Sequence, residues 1–108
     1  MYKNIELLKA YIEKDALKIE KKTVKINNVV IGEIKSVSRT EFHAAAKNGV
    51  KADIMAEIWS CEYSGENYAR VEGATQIYSV YRTYVKGDKL EIYLTPVKNI
   101  NLTVEGNI

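Results

Sequence analysis

The chain has 108 residues, 46% apolar and 28% charged, with one proline, six glycines and a formal net charge of +2. These values describe one globular domain that buries about two-thirds of its surface, not a disordered or low-complexity chain. No apolar run approaches the roughly 18 residues that span a bilayer, and the single cysteine, Cys61, has no partner for an internal disulfide. A membrane span, a disulfide scaffold and a multidomain enzyme are thereby excluded. The start, MYKNIELLKAYIEKD, carries charges where a secretory signal needs an apolar run.

Charge is unevenly placed. Residues 1–35 hold eight lysines against five acids, and the remainder holds eight basic residues against nine acids. The arginines are Arg39, Arg70 and Arg82, too few for the bidentate reading on which dedicated duplex binders rely. The N-terminal lysines alternate with glutamates and read as a solvated face.

Taken in order, Asn4 to Lys22 has helical rhythm. Ile5, Leu8, Ile12, Ala16 and Ile19 recur at steps of three or four. Asn4 is placed to cap this helix and Glu6 to complement its dipole. It reads as a packing helix, because a membrane-surface helix sets bulky aromatics against a nearly uniform basic face. From Thr23 the period changes. TVKI, Asn27–Asn28 and VVIGEIKSV read as two strands about a tight turn, with Gly32 marking a bulge or bend.

Ser38 followed by Glu41 is a capping box, Ala44 to Ala46 favour helix, and Gly49 suits a left-handed cap. A short helix over about Arg39 to Asn48 follows. The rest is β. Ile54, Ala56 and Ile58 face one way, and Met55, Glu57 and Trp59 the other. EYSGEN turns about Gly65, YARVE is a short strand ended by Gly73, and TQIYSVYRTYV is dense in strand formers. KGD is a tight turn, Leu90, Ile92 and Leu94 share a face, and Pro96 ends their strand. Residues 98–108 form a tail or an edge strand.

The chain thus predicts a single domain over 1–108, with an N-terminal helix over 1–22 packed on a β-rich body over 23–97. The fold class is mainly β (α+β). It is a small antiparallel β-barrel or sandwich with an N-terminal helix and a short helix inserted between strands.

The chemistry-bearing residues are sparse. His43 is the only histidine and has no cysteine near it in sequence, so no metal site is expected. Cys61 lies on or after a strand and reads as a small buried residue rather than a nucleophile, and nothing in the spacing supports a Cys61–His43 dyad. The carboxylates are scattered among lysines, and the glycines are isolated turn positions rather than a phosphate cradle. Asn101-Leu102-Thr103 matches a glycosylation sequon, which matters only in a secreted protein. Eight of the ten aromatics are tyrosine. Tyr63, Tyr68, Tyr78, Tyr81, Tyr84 and Tyr93 fall in the β region. Cross-strand packing is the first reading, a protein interface the second and base stacking the third, since Arg82 is the only basic residue between Arg70 and Lys86.

Three stretches carry a family likeness. GEIKSVSRTEFHAAAKNGVKADI is a strand running into a V-S-R-x-E helix start. AEIWSCEYSGENYARVEGATQIYSVYRTY has an E-Y-x-G-E turn, a short strand, a glycine turn and a strand rich in Tyr and Arg. KGDKLEIYLTPV is a closing strand with an E-I-Y-L core. Over about Gly32 to Val97 this order resembles the tailed-phage head-closure family, also called head–tail adaptor or joining proteins. Many members begin with extended β segments, and the helical reading of residues 1–22 departs from that.

The resemblance implies a small antiparallel barrel or sandwich with a helix or long loop inserted after an early strand. It implies a structural protein without enzymatic activity; no cofactor is expected. Copies assemble as a ring oligomer beneath the portal and its adaptor after DNA packaging, in the phage or prophage virion. Before assembly the protein resides in the host bacterial cytoplasm, with no membrane partner. The matching inserted segment is Ser38–Asp53. Its Arg39, Glu41, Phe42, Lys47 and Lys51 are the expected channel-facing or assembly residues; the basic ones either contact packaged DNA non-specifically or only cap and solvate a short helix. Tyr68, Tyr78, Tyr81 and Tyr84 are the expected interface aromatics. The alternatives are a tail-completion or minor tail protein, and a small single-stranded nucleic-acid-binding β-barrel.

Overall fold

The computed structural model describes residues 2–14, 20–73, 75–97 and 102–105. In chain order the elements are β1 (Tyr2–Lys14), β2 (Glu20–Ser36), α1 (Arg39–Lys47), β3 (Ile54–Trp59), a 3₁₀ turn (Ser60–Glu62), β4 (Tyr68–Val71), β5 (Ile77–Lys86), β6 (Lys89–Pro96) and β7 (Leu102–Glu105). The strands neighbour one another as β1–β4–β5–β6–β3–β2, and β2 pairs back onto β1. The sheet therefore closes into a six-stranded antiparallel β-barrel, with α1 inserted between β2 and β3. Closure removes the free edges that an open sheet of this size presents. β7 lies outside the ring, parallel to Lys22–Lys25 of β2.

The barrel interior holds Ile5, Leu7, Val30, Ala56, Ile58, Ala69, Leu90, Ile92 and Leu94. Period-2 alternation delivers them: Ala56 and Ile58 from β3, and Leu90, Ile92 and Leu94 from β6, all point inward. The residues between them face outward. KGD makes the β5–β6 turn, where Gly87 takes a φ of 64° that a side chain would strain.

The N-terminal helix is not formed. Tyr2–Lys14 is strand β1, and β2 starts at Glu20. Ala16 and Ile19 of the expected helical stripe lie outside the described residues. The apolar spacing had a different cause. Ile5 and Leu7 line the barrel, whereas Leu8 points the other way, into a second cluster with Val24 and Tyr68. Two faces of one strand, each apolar over part of its length, imitate a helical stripe. Pairing along the whole of β1 overrides the helix propensity of its Glu, Leu, Lys and Ala residues. Asn4 and Glu6 accordingly cap nothing. Glu6 stands opposite Arg70 across β1–β4, and the two form an ion pair.

The Asn27–Asn28 turn is also absent, since β2 runs unbroken from Glu20 to Ser36. Asn28 pairs with Leu7 and Ile26 with Leu8, so Asn27 is the extra residue of a β-bulge. The bulge expected at Gly32 is not there; Gly32 sits in regular register opposite Lys3. Its missing side chain has another purpose. A Cβ at this position would lie 2.7 Å from Ile5 Cδ1 and 2.7 Å from Ile58 Cγ2. Glycine lets the two isoleucines approach across the core.

The loop after the 3₁₀ turn is fastened to the bulge. Glu66 is fully buried, and its carboxylate accepts from the Ser64 backbone N–H at 2.6 Å and from Asn27 Nδ2 at 3.2 Å. The Tyr63 hydroxyl donates to the Glu66 carbonyl at 2.6 Å. Asn28 Nδ2 donates to the Glu62 carbonyl at 3.3 Å. The loop thereby covers β2 where that strand has no second neighbour.

Candidate assembly surface

The inserted helix is held to the barrel by one polar cluster. Ser38 caps α1, its hydroxyl accepting from the Glu41 N–H at 3.1 Å. Only this half of the capping box forms. The Glu41 side chain does not return to Ser38 but crosses to β5, where the Tyr81 hydroxyl donates to Oε2 at 2.9 Å and the Arg82 guanidinium donates to Oε1. A bulge makes this possible. The β5–β6 register shifts between Val80 and Arg82, which turns Tyr81 and Arg82 toward α1 together. Arg82 also lies over the Tyr93 ring, 4.2 Å from its centroid, and the Tyr93 hydroxyl donates to Glu91 at 2.9 Å.

Charge and burial tune this cluster. The Arg82 hydrogen bond, assisted by Tyr81, holds the Glu41 carboxyl below the usual carboxylate range against the opposing effect of burial. Burial first, then Glu41, pushes the Tyr81 phenol well up. Between helix and barrel lies a cavity of about 390 Å³ lined by Glu41, Ala44, Ala45, Asn48, Val50, Tyr81 and Arg82. Ala45 is the buried residue of the helix. The attachment thus joins this ionic cluster to the buried Ala45 beside an open cleft.

The outer side of the insertion is bare. Arg39, Phe42, His43, Lys47 and Lys51 are exposed, and the Phe42 and His43 rings meet edge to face at 5.8 Å. The five expected segment residues therefore divide: Glu41 faces the barrel, and Arg39, Phe42, Lys47 and Lys51 face away. Of the expected interface aromatics, Tyr84 is exposed. Tyr78 is half-buried, its phenol raised by burial and by Asp53, and Tyr81 is half-buried against Glu41. Tyr68 is buried with Leu8 and Val24 and offers no ring to a partner. Strand pairing sets it opposite Leu8 of β1, a neighbour the helical reading of residues 1–22 did not supply.

Sequence reasoning missed a second surface. Tyr2, Val29, Ile31 and Trp59 are all large, apolar and about half exposed or more, and they line one groove of about 430 Å³ with Val30, Glu57, Glu62 and Lys89. Lys89 Nζ sits 3.7 Å from the Trp59 ring centroid. The outward phase of Trp59 in β3 was the available signal. Its neighbours in the groove come from β1 and β2, whose course the sequence concealed.

Among the described residues, no group of three or more His, Cys, Asp or Glu side chains is placed to hold a metal ion, and no helix is long and apolar enough to cross a membrane. Cys61 is not buried as its sequence context suggested: strand β3 ends at Trp59, and Cys61 is exposed in the 3₁₀ turn that follows. Compared with family models, characterised proteins and solved structures, the chain matches none.

Proposed function

We propose that the chain is a virion assembly protein of a tailed phage or prophage. Copies close the head after DNA packaging, as a ring between the portal with its adaptor and the tail. The observation that carries this reading is the inserted helix. A small closed barrel holds α1 on its outer wall by the Glu41–Tyr81–Arg82 cluster and leaves Arg39, Phe42, Lys47 and Lys51 free on the far side. A rigid barrel suits a collar subunit, and a weakly attached projecting segment suits contact with a neighbour or a channel.

The three basic residues of that segment then face the packaged DNA, binding phosphate without reading sequence. The remaining arginines are committed elsewhere, Arg70 to Glu6 and Arg82 to Glu41. The Tyr93 ring is covered by Arg82. Both facts weigh against a base-stacking platform for single strands. Near-neutral, mixed charge allows weak contacts between free subunits, which gain avidity once the portal holds many copies together.

Purified protein added to DNA-filled heads ending in portal and adaptor tests the reading. Electron microscopy is expected to show an added ring at the portal vertex, with DNA retained. Absence of binding to portal complexes of the same phage overturns it, and recovery only with tail tubes from disrupted virions assigns the protein to tail completion instead.

A further inference from the structure

The groove around Trp59 is a seam in the barrel. β2 and β3 pair from Ser36↔Ile54 to Glu33↔Glu57, and beyond Glu33 their ladder stops. Past that point β2 pairs only with β1 until β7 joins it at Lys25. The apolar lining of the seam is Tyr2, Val29, Val30, Ile31 and Trp59. Tyr2, Val29, Ile31 and Trp59 are 67%, 53%, 63% and 49% exposed, and together they form a contiguous apolar patch of the kind that marks a binding site. Tyr and Trp at such a site are typical interface anchors.

The chain carries a matching projection. At the β5–β6 hairpin tip Val85 stands opposite the buried Leu90, yet it is 66% exposed, and Tyr84 beside it is 53% exposed. Groove and tip account for six of the seven large apolar side chains exposed among the described residues, Phe42 being the other. Their charges are complementary in both senses. The groove presents Glu62 and Lys89, and the tip presents Lys86 and Asp88. Among the described residues neither the Glu62 carboxylate nor Lys86 has an ion-pair partner, whereas Glu57 is bridged by Lys35 at 3.7 Å.

We propose that the β2–β3 seam receives the β5–β6 hairpin tip of a second copy of this chain. Val85 covers Ile31 and Trp59, Lys86 meets Glu62, and Asp88 meets Lys89 of the receiving copy. The contact is between like chains and stands or falls independently of the head-closure reading.

The test uses the full chain alone, isotope-labelled, in an NMR dilution series at low ionic strength. Concentration-dependent shifts are expected at Val29, Ile31 and Trp59 and at Tyr84, Val85 and Lys86. Val85→Asp is expected to lower the association constant at least about tenfold. Lys86→Glu and Glu62→Lys each lower it about fivefold. An equimolar mixture of these two charge variants regains association to within about twofold of wild type, because each tip then opposes a groove of opposite sign. Amide dispersion checks that each variant is folded, and the charge pair keeps the test decisive if Val85→Asp is not. Groove and tip signals that stay fixed up to the solubility limit overturn the proposal. So does a mixture no stronger than its components. Portal binding is measured separately, so a negative result here leaves that reading untouched.

Discussion

Glu41 makes the attachment of the inserted helix depend on charge. Its carboxyl is held below the ordinary value of 4.5 by Arg82 and Tyr81, so the ionised form is the one that latches. A group with a lowered folded value contributes stability that is complete above the unfolded value and lost as pH falls through the folded one. The protection factors of the α1 amides, corrected for the intrinsic exchange rate, are therefore expected to fall on acidification below about pH 4.5, while those of the barrel amides hold. Arg82→Gln is expected to cost about 1 kcal/mol of helix attachment and to flatten that pH dependence. Equal protection of α1 at neutral and acid pH in the wild type contradicts the latch. Gly32 is a second position where one atom decides. Gly32→Ala sets a Cβ 2.7 Å from Ile5 Cδ1, inside a filled core, and is expected to cost about 1–3 kcal/mol in urea unfolding. Adding Ile5→Val removes that Cδ1 and is expected to return part of the loss.

At the scale of elements, the sequence was legible from Ser38 onward and misleading before it. The core residues of β3 and β6 recur with period 2, glycine turns follow β4 and β5, and α1 has its serine cap, so pattern and structure coincide there; β5 breaks the period at its bulge, and β4 buries both Tyr68 and Ala69. β1 and β2 defeat the same reasoning because neither keeps one buried face. Leu7 and Leu8 are both fully buried, on opposite sides of β1. A strand that lines a barrel and then backs a second cluster shows no single period. Register there cannot come from apolar pattern alone, since a slip of one residue replaces leucine by leucine. The Asn27 bulge and its bond to Glu66 fix it. Glu66→Ala is accordingly expected to lose about 1–3 kcal/mol by leaving the Ser64 N–H and the Asn27 amide without their acceptor. It should also give doubled amide signals along β1 and β2. A single sharp set of signals with unchanged stability argues against this role. The polar cluster on α1 was half visible: Ser38 and Glu41 stood out by spacing, but the partner of Glu41 sits on β5, forty residues away.

For the molecule as a whole, closure is complete without the last strand. β1 pairs directly with β2, and β7 only adds to the outside of β2. Deleting residues 98–108 is expected to leave exchange protection in β3 to β6 near wild type and to expose the amides of Lys22–Lys25. Collapse of the entire barrel contradicts this. The tyrosines set the alkaline limit. Tyr63, Tyr78, Tyr81 and Tyr93 are all raised above 10.0, burial being the leading cause in each. A raised folded value means stability present below the unfolded value and lost as pH rises toward the folded one. Melting temperature is therefore expected to fall above about pH 10, with phenolate absorbance from these four appearing only as the protein unfolds.

Trp59 is the chain's sole indole, half exposed, with the ammonium of Lys89 resting on its ring. The molecule thus carries an unlabelled optical probe at the mouth of the seam. Any partner that seats there dehydrates the ring, so the emission moves to the blue and iodide no longer quenches it. A partner that docks on the far side, over Phe42 and Lys47, leaves that colour unchanged. One fluorimeter trace therefore tells which flank of the barrel has been engaged.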